Sequence, residues 1–199
     1  MVDVEQVTVT LQSGVDVRVH SFGTGSDNAQ PIVIVEPESS AEDWMEFAAL
    51  LKPSHSPIFA EVSSALELMV LVWEIGEPVS LLSQGDQAAE WVSAVVNMAP
   101  GAVASLIVCD GEIPADRIAE MHAVTTLILR GRQGELLNHE DAVRLHESLR
   151  HSTLMEPENC GDFPAKANPD AAASAVNLFL SGSDEDDVFS AGEPIDPKS

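Results

Sequence analysis

Basic residues are scarce. Nine Lys and Arg stand against 33 Asp and Glu in 199 residues, a formal net charge of −24, and lysine occurs only at Lys52, Lys166 and Lys198. A surface of that sign repels phosphate backbones and anionic headgroups, so neither nucleic acid nor a membrane surface is expected as a partner. Cysteine occurs twice, at Cys109 and Cys160, too few for a disulfide scaffold and better read as buried inert thiols than as a redox pair. No apolar run approaches a membrane span, the longest, near residues 66–73, being interrupted by Glu67. The opening MVDVEQVTVT lacks the basic and apolar regions of a secretory signal, and a cytoplasmic protein is expected.

Cofactor signatures are lacking as well. Gly23-Thr24-Gly25 is too short for a dinucleotide fingerprint, and no phosphate-binding G-x-x-x-x-G-K-S/T occurs. The six histidines (His20, His55, His122, His139, His146, His151) form no metal-ligand spacing and read as surface residues. Neither a metal nor a cofactor is expected.

What remains is enough for one packed domain. Hydrophobic residues make up 45% of the chain, and this length accommodates a single core. Residues 181–199 (SGSDEDDVFSAGEPIDPKS) lack periodicity and carry six acidic residues and one basic one, which predicts a disordered acidic tail after a domain spanning 1–180. Removing the tail leaves 27 acidic and eight basic residues, so the acidity belongs to the domain.

Within that domain, residues 4–11 and 15–22 alternate apolar and polar around Ser13-Gly14, which predicts a β-hairpin. Six strand-then-helix units follow: 31–35 with 41–51, 58–62 with 65–75, 79–82 with 87–98, 105–109 with 113–121, 125–129 with 139–149, and 151–155 with 169–180. The tryptophans Trp44, Trp73 and Trp91 fall on apolar helix faces and are assigned to the core. This alternation predicts an α/β three-layer sandwich with a mostly parallel sheet of about eight strands and an N-terminal antiparallel hairpin. Ligands of such sheets lie beyond the carboxyl ends of the strands, which directs attention to Glu36-Pro37-Glu38, residues 83–87, Asp110-Gly111-Glu112, residues 130–135 and residues 156–163.

Several of these segments together resemble the α/β-hydrolase family across nearly all of residues 4–180. They are the hairpin with Gly23-Thr24-Gly25, PIVIV followed by Asp43-Trp44, the elbow-like LLSQGDQAAEW, and Cys160-Gly161-Asp162-Phe163-Pro164 before the last helix. The resemblance implies a nucleophile at a sharp strand-to-helix turn, usually in G-x-S-x-G. Three registers are open. Asp86 fits the spacing to Pro100 and Asp110 best; Gly85 would leave no nucleophile; Ser83 would shorten the strand and lengthen the helix. The branches of the family that hydrolyse epoxides and carbon–halogen bonds use an Asp nucleophile and a histidine base in the last loop. Here the histidine position reads Asp162. The acid that would orient that histidine follows the seventh strand, where this chain has Gly134, with Glu135 one residue out; Asp110, after the sixth strand, is the other position from which relatives supply it. The family's His-Gly after the third strand is replaced by Glu36-Pro37, which removes a donor and adds a negative charge, leaving the backbone N–H of Gln87 as one oxyanion donor. Only residues 111–124 separate the sixth and seventh strands, too few for a cap domain.

The resemblance with these departures implies an α/β-hydrolase-like protein with a decayed triad, serving as a binding or regulatory protein. The alternative is a hydrolase of esters or related small-molecule bonds that uses Asp86 or Ser83. The expected partner is an unidentified protein or small molecule, and apolar surface left uncovered without a cap would support a homodimer. Asp86 and Asp162 are expected to bring two carboxylates together at one end of the sheet, near Glu36 and Asp110, raising at least one pKa and making Asp86→Asn stabilising at neutral pH.

Overall fold

The computed structural model describes residues 4–12, 14–26, 28–121 and 123–186. Ser13 of the expected hairpin turn, His122 and residues 187–199 of the expected tail lie outside the described residues. The hairpin is β1 (Glu5–Thr10) and β2 (Asp16–Ser21), followed by β3 (Gln30–Val35), a 3-10 turn at Ala41–Trp44 and α1 (Met45–Ala49). Then come β4 (His55–Glu61), α2 (Ala65–Ile75), β5 (Val79–Gln84), α3 (Asp86–Met98), β6 (Val103–Cys109) and α4 (Ala115–Ile118). The last described elements are β7 (Thr125–Leu129), α5 (His139–Ser148), β8 (Ser152–Met155), α6 (Pro164–Ala167) and α7 (Pro169–Asp186).

The strands form one sheet in the order β1-β2-β4-β3-β5-β6-β7-β8. β1 and β2 pair antiparallel, as do β2 and β4, while every pair from β4 to β8 is parallel. The three-layer sandwich with an antiparallel N-terminal hairpin and no cap domain is therefore the architecture observed. Parallel strands covered on both faces are largely apolar, and β5 is buried at all six positions, with the Ser80 hydroxyl bonded to that of Ser105 on β6. Alternate side chains feed two cores. Val33, Val35, Leu81, Leu106, Val108 and Ile128 pack with α2, α3 and α5. On the other face Ile32, Ile34, Leu82, Ile107, Leu127 and Leu129 pack with Trp44, Phe47 and the apolar side of α7.

Local chemistry sets several boundaries. Ser64 accepts the Glu67 N–H at the start of α2, and Gly76 closes that helix in the left-handed conformation. Asn138 and Asn168 accept amide protons from Asp141 and Ala171 at the starts of α5 and α7, with Pro169 in the first helical position of α7.

Four expectations are corrected. The helix expected over 113–121 shrinks to the single turn of α4, because Pro114 delays its start and 3-10-type bonds at Glu120 and Met121 replace its end. α7 continues six residues past Leu180 to Asp186; Ser181 binds back to the Asn177 carbonyl and accepts a proton from Lys52, which draws the first residues of the expected tail into the helix. Trp73 is 56% exposed rather than buried, whereas Trp44 is fully enclosed. His55, expected at the surface, is buried at the start of β4. Both cysteines are buried and free. Among the described residues no helix is long and apolar enough to cross a membrane.

Candidate functional site

The carboxyl ends of β3, β5, β6, β7 and β8 converge on the loops that the sequence singles out. At the end of β5 the turn falls on Gly85, with φ 81° and ψ 169°, between Gln84, the last strand residue, and Asp86, the first residue of α3. Such backbone is essentially restricted to glycine, and the Gly85 N–H still bonds the Cys109 carbonyl, holding the turn against β6. The turn is thus one residue earlier than the Asp86 register expects. Asp86 is exposed on the first turn of α3, where its carboxylate accepts the Glu112 N–H at 2.9 Å. The first helical amide after the turn belongs to Asp86, and Gln87 is the second residue of the helix. Ser83 is wholly buried inside the sheet, where its hydroxyl leans on the Ile107 carbonyl at 3.4 Å. Gln84 is 2% exposed, and its side-chain amide has no hydrogen-bond partner among the described residues.

The last loop is braced by carboxylates. Asp162 Oδ1 accepts the N–H groups of Glu135 at 2.6 Å and Leu136 at 2.9 Å, tying the loop after β8 to the loop after β7. Glu135 enters this contact through its backbone. Asp110 is 2% exposed in a left-handed conformation, and its Oδ2 accepts the Phe163 N–H at 2.7 Å. Burial raises the Asp110 pKa to about 6; the nearby Asp162 charge adds to the rise, while the Phe163 N–H, the Arg130 guanidinium and the Gly131 N–H oppose it. Asp110 is the carboxylate found under repulsion from Asp162. Burial also pushes up both thiols, helped at Cys109 by Asp110 and Glu36 and at Cys160 by Asp110, so neither is a thiolate nucleophile.

Glu36 turns toward the protein. Its Oε2 accepts the Trp44 indole N–H at 2.9 Å and pairs with Lys166 of α6 at 2.7 Å. One of the chain's few lysines thus neutralises the charge that replaces the family's His-Gly. Arg130, 4% exposed, shapes the loop after β7 by donating to the carbonyls of Leu137 and Gly134 and pairing with Glu156. Burial raises the Glu156 pKa, but hydrogen bonds from His139 and Arg130 outweigh it and leave the group below its ordinary value.

Beside the elbow lies a cleft of about 610 Å³ between α3 and α5, with α4 at its floor. Of the positions the sequence points to it takes in Asp86, Gln87 and Glu112, and it adds Glu90, Asp141 and Arg144, which the sequence had not singled out as site residues. The only signal for it in the chain is the brevity of residues 111–124. Among the described residues no group of three or more His, Cys, Asp or Glu is placed to hold a metal ion.

The eight-stranded, mostly parallel sheet with its antiparallel N-terminal hairpin and flanking helices matches the fold of many solved hydrolases. The chain has the α/β-hydrolase fold. It is similar to a membrane phospholipase A at a TM-score of 0.75 and 14% identity, over 91% of this chain and 87% of that one. Carboxylesterase CesB from Bacillus subtilis superposes at 0.76 and 10% identity over 91% and 93% of the two chains. Haloalkane dehalogenase DbeA from Bradyrhizobium elkani does so at 0.73 and 12% over 92% and 100%. No family model and no curated protein matches the sequence. At these identities the likeness establishes the fold alone, and chemistry rests on the site itself.

Proposed function

We propose that this chain is a non-catalytic α/β-hydrolase-fold protein that acts by binding a partner protein or small molecule. The observation that supports this reading is at the elbow: the residue between β5 and α3 is Gly85, which has no side chain to serve as nucleophile. Around it, the groups that would complete a triad have other attachments. Asp162, at the histidine position, holds two backbone amides, and Asp110 holds the last loop. Pro37, which follows β3, supplies no backbone N–H where an oxyanion would need donors.

A panel of ester, lactone, epoxide and haloalkane substrates tests the reading. The expected result is no turnover above that of a heat-denatured sample. Turnover that disappears in Asp86→Asn would overturn it in favour of an Asp-nucleophile hydrolase, since Asp86 is exposed beside the cleft.

A further inference from the structure

α4 is a single turn where its neighbours in the same layer are full helices of 13 residues (α3) and ten residues (α5). A parallel crossover usually covers its strands with a helix, and the shortened crossover from β6 to β7 leaves a trough where one would lie. The trough is the cleft described above. One wall is the α3 ridge of Asp86, Gln87 and Glu90; the other is the α5 ridge of Asp141, Arg144, Leu145 and Ser148. At 1.5 Å per residue the second ridge runs about 10 Å, or two helical turns. The floor is apolar: Ile113, Pro114, Ile118, Leu137 and Leu145.

We propose that this cleft is a docking groove for a basic amphipathic helix of a partner protein, an inference that rests on the non-catalytic reading and names its partner class. Shape points to a helix, since the space between two helical ridges over an apolar floor accepts the apolar side of a third. Charge sets the sign. Thirteen lining residues include four carboxylates, Asp86, Glu90, Glu112 and Asp141, against one guanidinium, a net −3, compared with −24 over all 199 residues. Arg144 is already paired with Asp141 at 2.8 Å, and Glu90 and Glu112 have no ion-pair partner among the described residues. Lys or Arg flanking an apolar stripe would meet those two carboxylates at the rim while the stripe covers the floor. A second copy of this chain, at −24, and its own residues 187–199, with three carboxylates and one lysine, carry the wrong sign.

The test titrates the full chain with a synthetic Leu/Lys peptide about four turns long, and with its Leu/Glu counterpart, while backbone amide shifts are followed by NMR. Because any cation is attracted to so acidic a protein, two charge-matched variants are compared. Glu90→Lys with Glu112→Lys alters the groove; Glu42→Lys with Glu46→Lys alters exposed positions on the opposite face. Exposed surface pairs are each worth a few tenths of a kcal/mol, and reversing two changes attraction into repulsion, so the groove pair should weaken Leu/Lys binding by about tenfold and the control pair by no more than about twofold. Ala115→Trp, at an exposed groove position, should block binding with no change of charge. Shifts should concentrate at the start of α3, at residues 112–118 and along α5, and the Leu/Glu peptide should not bind. Equal weakening by both pairs, shifts spread elsewhere, tighter binding of the Leu/Glu peptide, or no binding of the Leu/Lys peptide would each overturn the groove. The non-catalytic reading fails separately, by turnover of the substrate panel in the same preparation.

Discussion

Asp110 and Phe163 are joined across the carboxyl end of the sheet, the buried carboxylate of one accepting the backbone N–H of the other at 2.7 Å. The bond anchors the last loop to β6, but it places a charge where water does not reach. With its pKa raised from 3.8 to about 6, Asp110 binds a proton more tightly in the folded chain than in the unfolded one. Its contribution to stability is therefore lost as pH rises from about 4 to above about 6, by up to about 3 kcal/mol. Asp110→Asn keeps an acceptor for Phe163 and removes the charge. Its melting temperature should exceed that of the wild type at pH 7.5 and match it near pH 4. Asp162→Asn should lower the Asp110 midpoint in an NMR carboxyl titration without restoring the ordinary value, because burial is the larger cause.

Gly134 owes its identity to Asp162. A Cβ added there would lie 2.9 Å from Asp162 Oδ1 and 3.1 Å from the Gly131 carbonyl oxygen. Gly134→Ala should therefore displace the carboxylate that holds the Glu135 and Leu136 amides. Asp162→Ala alone should cost about 1–2 kcal/mol, the range for hydrogen bonds to a charged group partly open to solvent. In a double-mutant cycle by chemical denaturation, the two changes together should cost less than their sum by about 0.5 kcal/mol or more, since both break the same contact. Strict additivity would mean that the strain at Gly134 comes from the Gly131 carbonyl.

Asp86 is expected to act opposite to the sequence-based reading. Its carboxylate accepts the Glu112 N–H and lies in the first turn of α3, where a negative charge is favourable. Asp86→Ala should lower stability by about 1 kcal/mol at pH 7, with Asp86→Asn between it and the wild type. A rise in melting temperature for Asp86→Asn would restore the picture of repelling carboxylates at this residue.

The architecture was legible because β3, β6 and β7 carry short apolar runs (PIVIV, LIVC and LIL) and β5 the pair Leu81-Leu82, separated by helix-period segments, and tertiary packing reinforces that pattern. The site was legible only as a set of positions. That residues near 83–87, Asp110 and Asp162 lie at the loop ends follows from strand order. Which residue occupies the turn depends on two dihedral angles, and spacing to Pro100 and Asp110, which favours Asp86, does not resolve a shift of one residue to Gly85. The pairing of Glu36 with Lys166 joins residues 130 positions apart and had no local sign. Trp73 was misassigned for a related reason: it falls on the apolar side of α2 by spacing, but no neighbouring element covers it.

Installing residues of catalytic α/β-hydrolases should not create efficient catalysis. Gly85→Ser with Asp162→His supplies a hydroxyl at the turn and an imidazole in the last loop, and Asp86→Ser with Asp162→His supplies them in the other register. In the first pair, φ 81° with ψ 169° opposes any side chain at residue 85 by about 1–3 kcal/mol, although no atom lies within 4 Å of the added Cβ. Both pairs lose the Asp162 bonds to Glu135 and Leu136, so the loop that must position the imidazole is loosened. Both retain Pro37, which offers no backbone N–H to an oxyanion, and the loss of one oxyanion donor typically costs a factor of about 100 to 1,000. Hydrolysis of an activated ester by either variant should stay within about tenfold of that seen for a free imidazole-bearing peptide at the same concentration, since general base help without an oriented nucleophile is small. A rate well above that level, abolished by reverting Asp162→His alone, would mean that Glu36-Pro37 and Gly134 are lesser defects than the position of the elbow.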